Sequence, residues 1–194
     1  MGFYINKVRT LVWTIFYYLF SSLIFERIGK NCRFEGWIDI PQRGGRISLG
    51  DRVHICRRVI FSVLDGATLS FGDNVFIGSG VVISAHREVF VGNNCLIAEY
   101  VSIYDNDHIA IDIIKPISTQ GYVTSSCLIQ EGSWIGAGAK ILRGAGLGRS
   151  CILGAGAVLK VVLPAETIGA GVPAKVVRQR FQVGASSDNR VPLV

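Results

Sequence analysis

The sequence predicts an all-β solenoid, a parallel β-helix of short strands, with an apolar helix before it and a short carboxy-terminal extension after it. Three observations predict this. From Ile129 the chain reads IQEGSW, IGAGAK, ILRGAG, LGRSCI and LGAGAV before Leu159, so a branched aliphatic opens every block of six without a slip. The fifth place of each block is small, with Ser133, Ala139, Ala145, Cys151 and Ala157 in turn. The same frame recurs upstream as LGDRVH and ICRRVI from Leu49, FGDNVF and IGSGVV from Phe71, and VGNNCL and IAEYVS from Val91. An amphipathic helix would space its apolar residues at three and four, and a hairpin meander needs turn signals between alternating runs; the period fits neither. A unit this short buries its face only by stacking on its neighbours.

Residues 1–30 form the first element. The stretch from Thr10 to Phe25, TLVWTIFYYLFSSLIF, holds 16 uncharged residues, flanked by Lys7 and Arg9 before it and Glu26, Arg27 and Lys30 after it. That is short of the roughly 20 residues a helix needs to span a bilayer. No small-residue cleavage site follows, so export is not expected. The helix either lies in a membrane interface, helped by its basic flanks and by Trp13, Tyr17 and Tyr18, or packs on its own domain or a neighbouring subunit.

Residues 31–176 form the solenoid domain. In each coil the aliphatic points inward, the fifth-place residue fills the tight corner, and Gly at the second place often permits the turn. The frame slips between Phe61 and Phe71 and between Ile83 and Val91, which fits corners of variable length. Residues 109–128, with Lys115 and Pro116, break the period as an inserted loop, and residues 177–194 form a tail.

Bulk composition narrows the function classes. The 194 residues are 49% hydrophobic and 18% charged with 23 glycines, which describes one tightly folded domain. A net charge of +6 favours anionic partners. No basic tract is interleaved with aromatics, so nucleic acid is not expected and the phosphates of a small molecule fit better. The five cysteines, Cys32, Cys56, Cys95, Cys127 and Cys151, are odd in number and never form CxxC. Neither a disulfide framework nor a zinc knuckle is indicated, and reduced thiols in the cytoplasm are expected. Cys95 and Cys151 occupy the inward fifth place and read as small fillers.

Group transfer near neutral pH needs a base, and the chain offers His54, His86 and His108. His108 closes the coil VGNNCLIAEYVSIYDNDH and directly precedes the inserted loop, a place that suits catalysis. Asp105, Asp107 or Glu99 would orient its imidazole or hydrogen-bond an acceptor; alternatively Asp105, Asn106 and Asp107 form a polar turn. His86, in SAHRE one coil earlier, is a candidate acceptor contact or an exposed loop residue, and His54 has no catalytic argument.

The blocks IGSGVV, IGAGAK and LGAGAV and the stretch IGAGVPAK resemble the hexapeptide-repeat acyltransferases over roughly residues 45–180. The resemblance is closest to the branch of galactoside, maltose and xenobiotic acetyltransferases and the O-acetyltransferases of bacterial surface polysaccharides such as O-antigen. It implies a left-handed β-helix, a homotrimer with active sites between subunits, and acetyl-CoA as donor. It places the catalytic histidine in a DxDH-like segment, here His108, with Asp107 beside it. It also implies that Gly138 and Gly156 flank the pantetheine groove, with Trp134 at its edge and Lys160 and Lys175 near phosphate or adenine; both glycines also suit plain coil geometry, and both lysines read equally as surface charge.

The expected function is acetyl transfer from acetyl-CoA to a sugar hydroxyl in surface-polysaccharide synthesis by a cytoplasmic enzyme, whose amino-terminal helix either touches the inner membrane face or packs on protein. Acceptor contacts would come from His86, Asp105 and Glu99. Two alternatives stand beside it: transfer to a soluble acceptor such as an amino-sugar nucleotide or antibiotic, and a non-enzymatic scaffold on the same solenoid. A zinc enzyme resembling the gamma carbonic anhydrases would need a close histidine pair. His54, His86 and His108 lie 32 and 22 residues apart, with no carboxylate or Cys cluster to replace a pair, so no metal is expected.

Overall fold

The computed structural model describes residues 2–42 and 44–180, with the side chains of residues 2–6, 21 and 22 left aside. Most of the predicted tail, residues 181–194, therefore lies outside the described residues. Helix α1 (Gly2–Leu19) and a short helical turn (Ser21–Ile24) precede a left-handed parallel β-helix of about 6 turns. Its strands stack into three sheets of seven, eight and six strands, the faces of a triangular prism.

The six-residue period maps directly onto those faces. Leu49, Phe71, Val91, Ile129 and Leu147 stack in register on the first face. Ile55, Ile77, Ile97, Ile135 and Leu153 do so on the second, and Phe61, Ile83, Ile103, Ile141 and Leu159 on the third. All are buried, and the fifth-place Ser133, Ala139, Ala145, Cys151 and Ala157 are buried with them. Three consecutive blocks thus make one coil, each aliphatic belonging to a different face. Parallel strands covered on one side only still need an apolar interior, and the stack supplies it without helices.

Corners explain the remaining pattern. Asn31, Arg52, Asn74, Asn94, Gly132 and Ser150 all adopt positive φ at the turn from the first face to the second. Asparagine tolerates that region better than most side chains, and Asn74 Nδ2 donates to Asn94 Oδ1 at 2.9 Å, bonding one coil to the next. At the turn from the second face to the third, Arg58, Gly80, Tyr100, Gly138 and Gly156 do the same.

Helix α1 closes the open end of the solenoid. Tyr17 is buried, its ring 4.5 Å from Phe34, and its hydroxyl accepts the Ile38 N–H at 2.7 Å. Thr14 Oγ1 accepts the Phe34 N–H at 3.1 Å, and the Tyr18 hydroxyl accepts from Cys32 N–H and donates to the Gly29 carbonyl. These side chains satisfy edge-strand groups of the first coil, which would otherwise template further pairing. One face of the helix is thus packed on its own domain, one of the two outcomes the sequence left open. No helix among the described residues is long and apolar enough to cross a membrane. At the other end, Thr167–Gly171 pairs antiparallel with Ala174–Gln179 and finishes the second sheet.

Candidate active site

The inserted segment leaves the prism at the corner between its third and first faces. It opens as a β-hairpin: Asn106–His108 pairs antiparallel with Tyr122–Thr124, so that His108 lies opposite Tyr122. The chain rejoins the first face at Cys127–Ile129. The expected loop over 109–128 is in part strand, and its tip carries exposed Ile111, Ile113 and Ile114.

Asp105 fixes where the hairpin emerges. Its carboxylate is fully buried and accepts three backbone N–H groups of the coil below, from His86, Arg87 and Glu88, each at 2.7 Å. Asn106 Nδ2 donates to the Ser84 hydroxyl at 3.1 Å and to Asp105 Oδ1 at 3.2 Å. On the coil above, Arg143 Nε donates to Asp107 Oδ2 at 2.7 Å. The hairpin is therefore clasped from both sides, and its first strand ends on His108.

The structure brings His86 and His108 to one side chain. The Tyr122 ring lies 4.4 Å from the His108 ring, tilted by 40°, and 4.6 Å from the His86 ring, edge to face. His108 is exposed at the rim. His86 Nδ1 is buried and has no hydrogen-bond partner among the described residues, although buried polar atoms are normally paired. An exposed imidazole stacked on an aromatic ring that also packs against a second imidazole places His108 where it can take the proton of a hydroxyl brought to the rim.

The other candidates distribute differently. Asp107 is held by Arg143, and Asp105 is committed to the backbone rather than turned toward an acceptor. Glu99 lies on another edge, where its carbonyl accepts the Gly138 N–H at 2.9 Å and the Gly156 N–H bonds to Ala137 on the next coil. Gly138 and Gly156 have φ of +69° and +67°, and a Cβ at either would meet nothing within 4 Å. That edge is open, and coil geometry alone accounts for both glycines. Trp134 is partly exposed on the second face, in register with Leu96 and Ile152. Lys160 is exposed on the corner that carries the hairpin, three coils above His86, and Lys175 sits on the antiparallel end strand opposite Ala170.

Two features were not legible beforehand. Tyr122 and Arg143 gave no signal, because one lies outside the period and the other looks like any third-place residue. The third histidine also has company: Glu35, His54 and Cys56 offer ligand atoms within 4.8 Å of one another. This corrects the expectation that no carboxylate or cysteine gathers at a histidine; stacking of coils joins residues about twenty apart. His54 Nε2 lies 3.1 Å from Glu35 Oε1, Arg57 approaches the other oxygen at 3.8 Å, and burial pushes the Cys56 thiol up to about 11.

No protein-family model matches the chain. Among curated proteins, one of Mycobacterium tuberculosis named as a probable acetyltransferase is 37% identical over 153 residues, 79% of this chain and 49% of the relative. This chain thus spans about half the length of that relative. WbbJ of Escherichia coli, named for O-acetyl transfer in lipopolysaccharide biosynthesis, is 26% identical over 157 residues, 77% of this chain and 80% of its own. Among solved structures, a variant of the Bacillus cereus N-acyltransferase AntD, with coenzyme A and dTDP-4-amino-4,6-dideoxyglucose, superposes with a TM-score of 0.74 at 19% identity. It covers 85% of this chain and 89% of its own, a likeness of fold.

Proposed function

From the premise that the chain belongs to the hexapeptide-repeat acyltransferases, we propose that it transfers an acetyl group from acetyl-CoA to a sugar hydroxyl, with His108 as general base. The observation that carries this reading is the pairing of His108 and His86 against Tyr122 where the rigid hairpin leaves the solenoid. His108 takes the proton of the acceptor hydroxyl, the oxygen attacks the thioester carbonyl, and the intermediate collapses to the acetyl ester and the coenzyme A thiolate, which recovers the proton. No covalent enzyme intermediate is formed. His86, packed edge to face on the same Tyr122 ring, contacts the acceptor from the side of the coil below. Asp105 and Asp107 act as positioning residues, through the turn below and through Arg143.

The donor lies along the open edge at Gly138 and Gly156, with Trp134 beside it and Lys175 toward the phosphates, while Lys160, on the hairpin corner, would reach them only from a neighbouring subunit. That edge and the hairpin corner are different edges of one prism, so a single chain does not join donor and base. A homotrimer, in which one subunit's hairpin faces a neighbour's glycine edge, completes the site. Glu99, on the glycine edge, would meet the acceptor only across such an interface. The acceptor belongs to a surface polysaccharide of the O-antigen kind, which puts the enzyme in the cytoplasm at the inner membrane face. A second reading, N-acylation of an amino-sugar nucleotide, is favoured by the fold likeness to AntD and uses the same base.

Thiol release from acetyl-CoA, followed with a panel of sugars, nucleotide sugars and polysaccharide fragments, tests both. Release that depends on an acceptor and falls by about 10² or more in His108→Ala supports the reading. Equal release from the variant moves the base elsewhere, and no release with any acceptor removes the transferase.

A further inference from the structure

Helix α1 presents a second apolar face that its own domain does not cover. Val8, Leu11, Val12, Ile15 and Leu19 are between 49% and 72% exposed. At 3.6 residues per turn they fall within an arc of about 100°, opposite the buried Tyr17. The hydroxyls of Tyr17 and Tyr18 and Thr14 tie the inner face to edge-strand groups of the first coil, so the outer stripe cannot rotate inward. Trp37, 51% exposed, stands at the border, its ring 5.9 Å from that of Trp13. Beyond the helix, a cavity of about 130 Å³ opens between Leu23, Ile24, Trp37, Ile40 and Ile47.

Charge selects the occupant. Residues 2–25 contain Lys7 and Arg9 and no acid, and Arg27, Lys30 and Arg33 on the adjoining coil are exposed, outnumbering the nearby acids Glu26 and Glu35. A neighbouring copy would bring the same cations to the contact, whereas an anionic bilayer complements them. We propose that α1 is a fixed docking face for an anionic phospholipid surface, with Val8, Leu11, Val12, Ile15 and Leu19 in the acyl boundary, Trp37 at the headgroups, and the basic flanks over the phosphates. The inference deepens the transferase reading and rests on it only for its purpose, which is to hold the active-site corner near a membrane-borne acceptor.

The test is co-sedimentation of the full chain with phosphatidylcholine vesicles, with and without phosphatidylglycerol, at low and high salt. The variant carries Leu11→Glu and Ile15→Glu, both outward, and its unfolding temperature and oligomer size are measured alongside. The expected result is binding that needs the anionic lipid, weakens with salt, and falls by about ten-fold or more in the variant at unchanged unfolding temperature. Absence of wild-type binding, binding equal in the variant, or a variant that loses its oligomer rather than its lipid overturns the proposal. Where the variant fails to fold, Leu19→Ser replaces it, with the same criteria. Thiol release with a soluble sugar and no vesicles reports on the transferase separately, so that either idea can fall alone.

Discussion

Asp105 shows how much one side chain decides here. Its buried carboxylate gathers three N–H groups from residues 86–88, so Asp105→Ala leaves those donors without a partner and removes the hairpin's lower clasp. A loss of about 2–5 kcal/mol is expected, from about 1–3 kcal/mol for each unsatisfied buried group with partial relaxation. Chemical denaturation measures it, and a change below about 0.5 kcal/mol, the range of ordinary surface substitutions, would refute the clasp. Tyr122 makes a sharper case. Tyr122→Phe keeps the ring against both imidazoles and should keep thiol release near wild type, while Tyr122→Ala frees His108 and should lower it by about ten-fold, a part of what the base itself contributes. Equal rates in both variants would make the ring incidental. The sequence pointed at the DND run and at His108 because polar residues end a regular coil there. It could not give Asp105 its role, since the partners of that carboxylate lie a full coil away, nor find Tyr122, which no period marks.

At the scale of elements, the hairpin and the helix were legible to different degrees. A break in a six-residue period announces an insertion, yet it carries no information on whether the insertion pairs with itself; the antiparallel register from Asn106 to Thr124 is local and follows no repeat. The upper clasp, Asp107 with Arg143, is partly exposed, so its coupling in a double-mutant cycle should be only about 0.2–1 kcal/mol. Its effect on catalysis should exceed its effect on stability, because it restrains the strand that ends on His108. Arg143→Ala is expected to lower kcat at nearly constant unfolding temperature, and a matched fall in both would assign the pair to folding alone. For α1 the sequence supplied length and apolarity but not orientation. Which face is inward is set by Tyr17, Tyr18 and Thr14 meeting edge-strand groups of the first coil, contacts that depend on the angle at which the helix crosses the solenoid's end.

Across the whole molecule the fold was legible because each block of six makes the same choice, an inward aliphatic and a small corner residue, and the choices agree along the stack. That agreement also buries thiols. Cys127, at 0% exposure, donates to the Leu142 carbonyl at 3.3 Å, and burial, with Asp105 and Asp107 adding to it, pushes its pKa from 9.0 up to about 11. Cys56 is raised to about 11 as well, first by burial and then by Glu35. Below about pH 9 such a thiol is protonated in both folded and unfolded chains and adds no pH dependence. Between 9 and 11 the unfolded chain releases the proton while the folded chain retains it, so stability is lost as pH rises through that window. The unfolding temperature should therefore hold from pH 7 to about 9 and then fall, and Cys127→Ala should fall less steeply than wild type over that alkaline range. Lysines and tyrosines titrate there too, but they are common to both proteins, so the difference in slope isolates Cys127. Parallel curves would mean that the stack opens around this coil well before the rest of the solenoid unfolds, and that its coils do not melt as one unit.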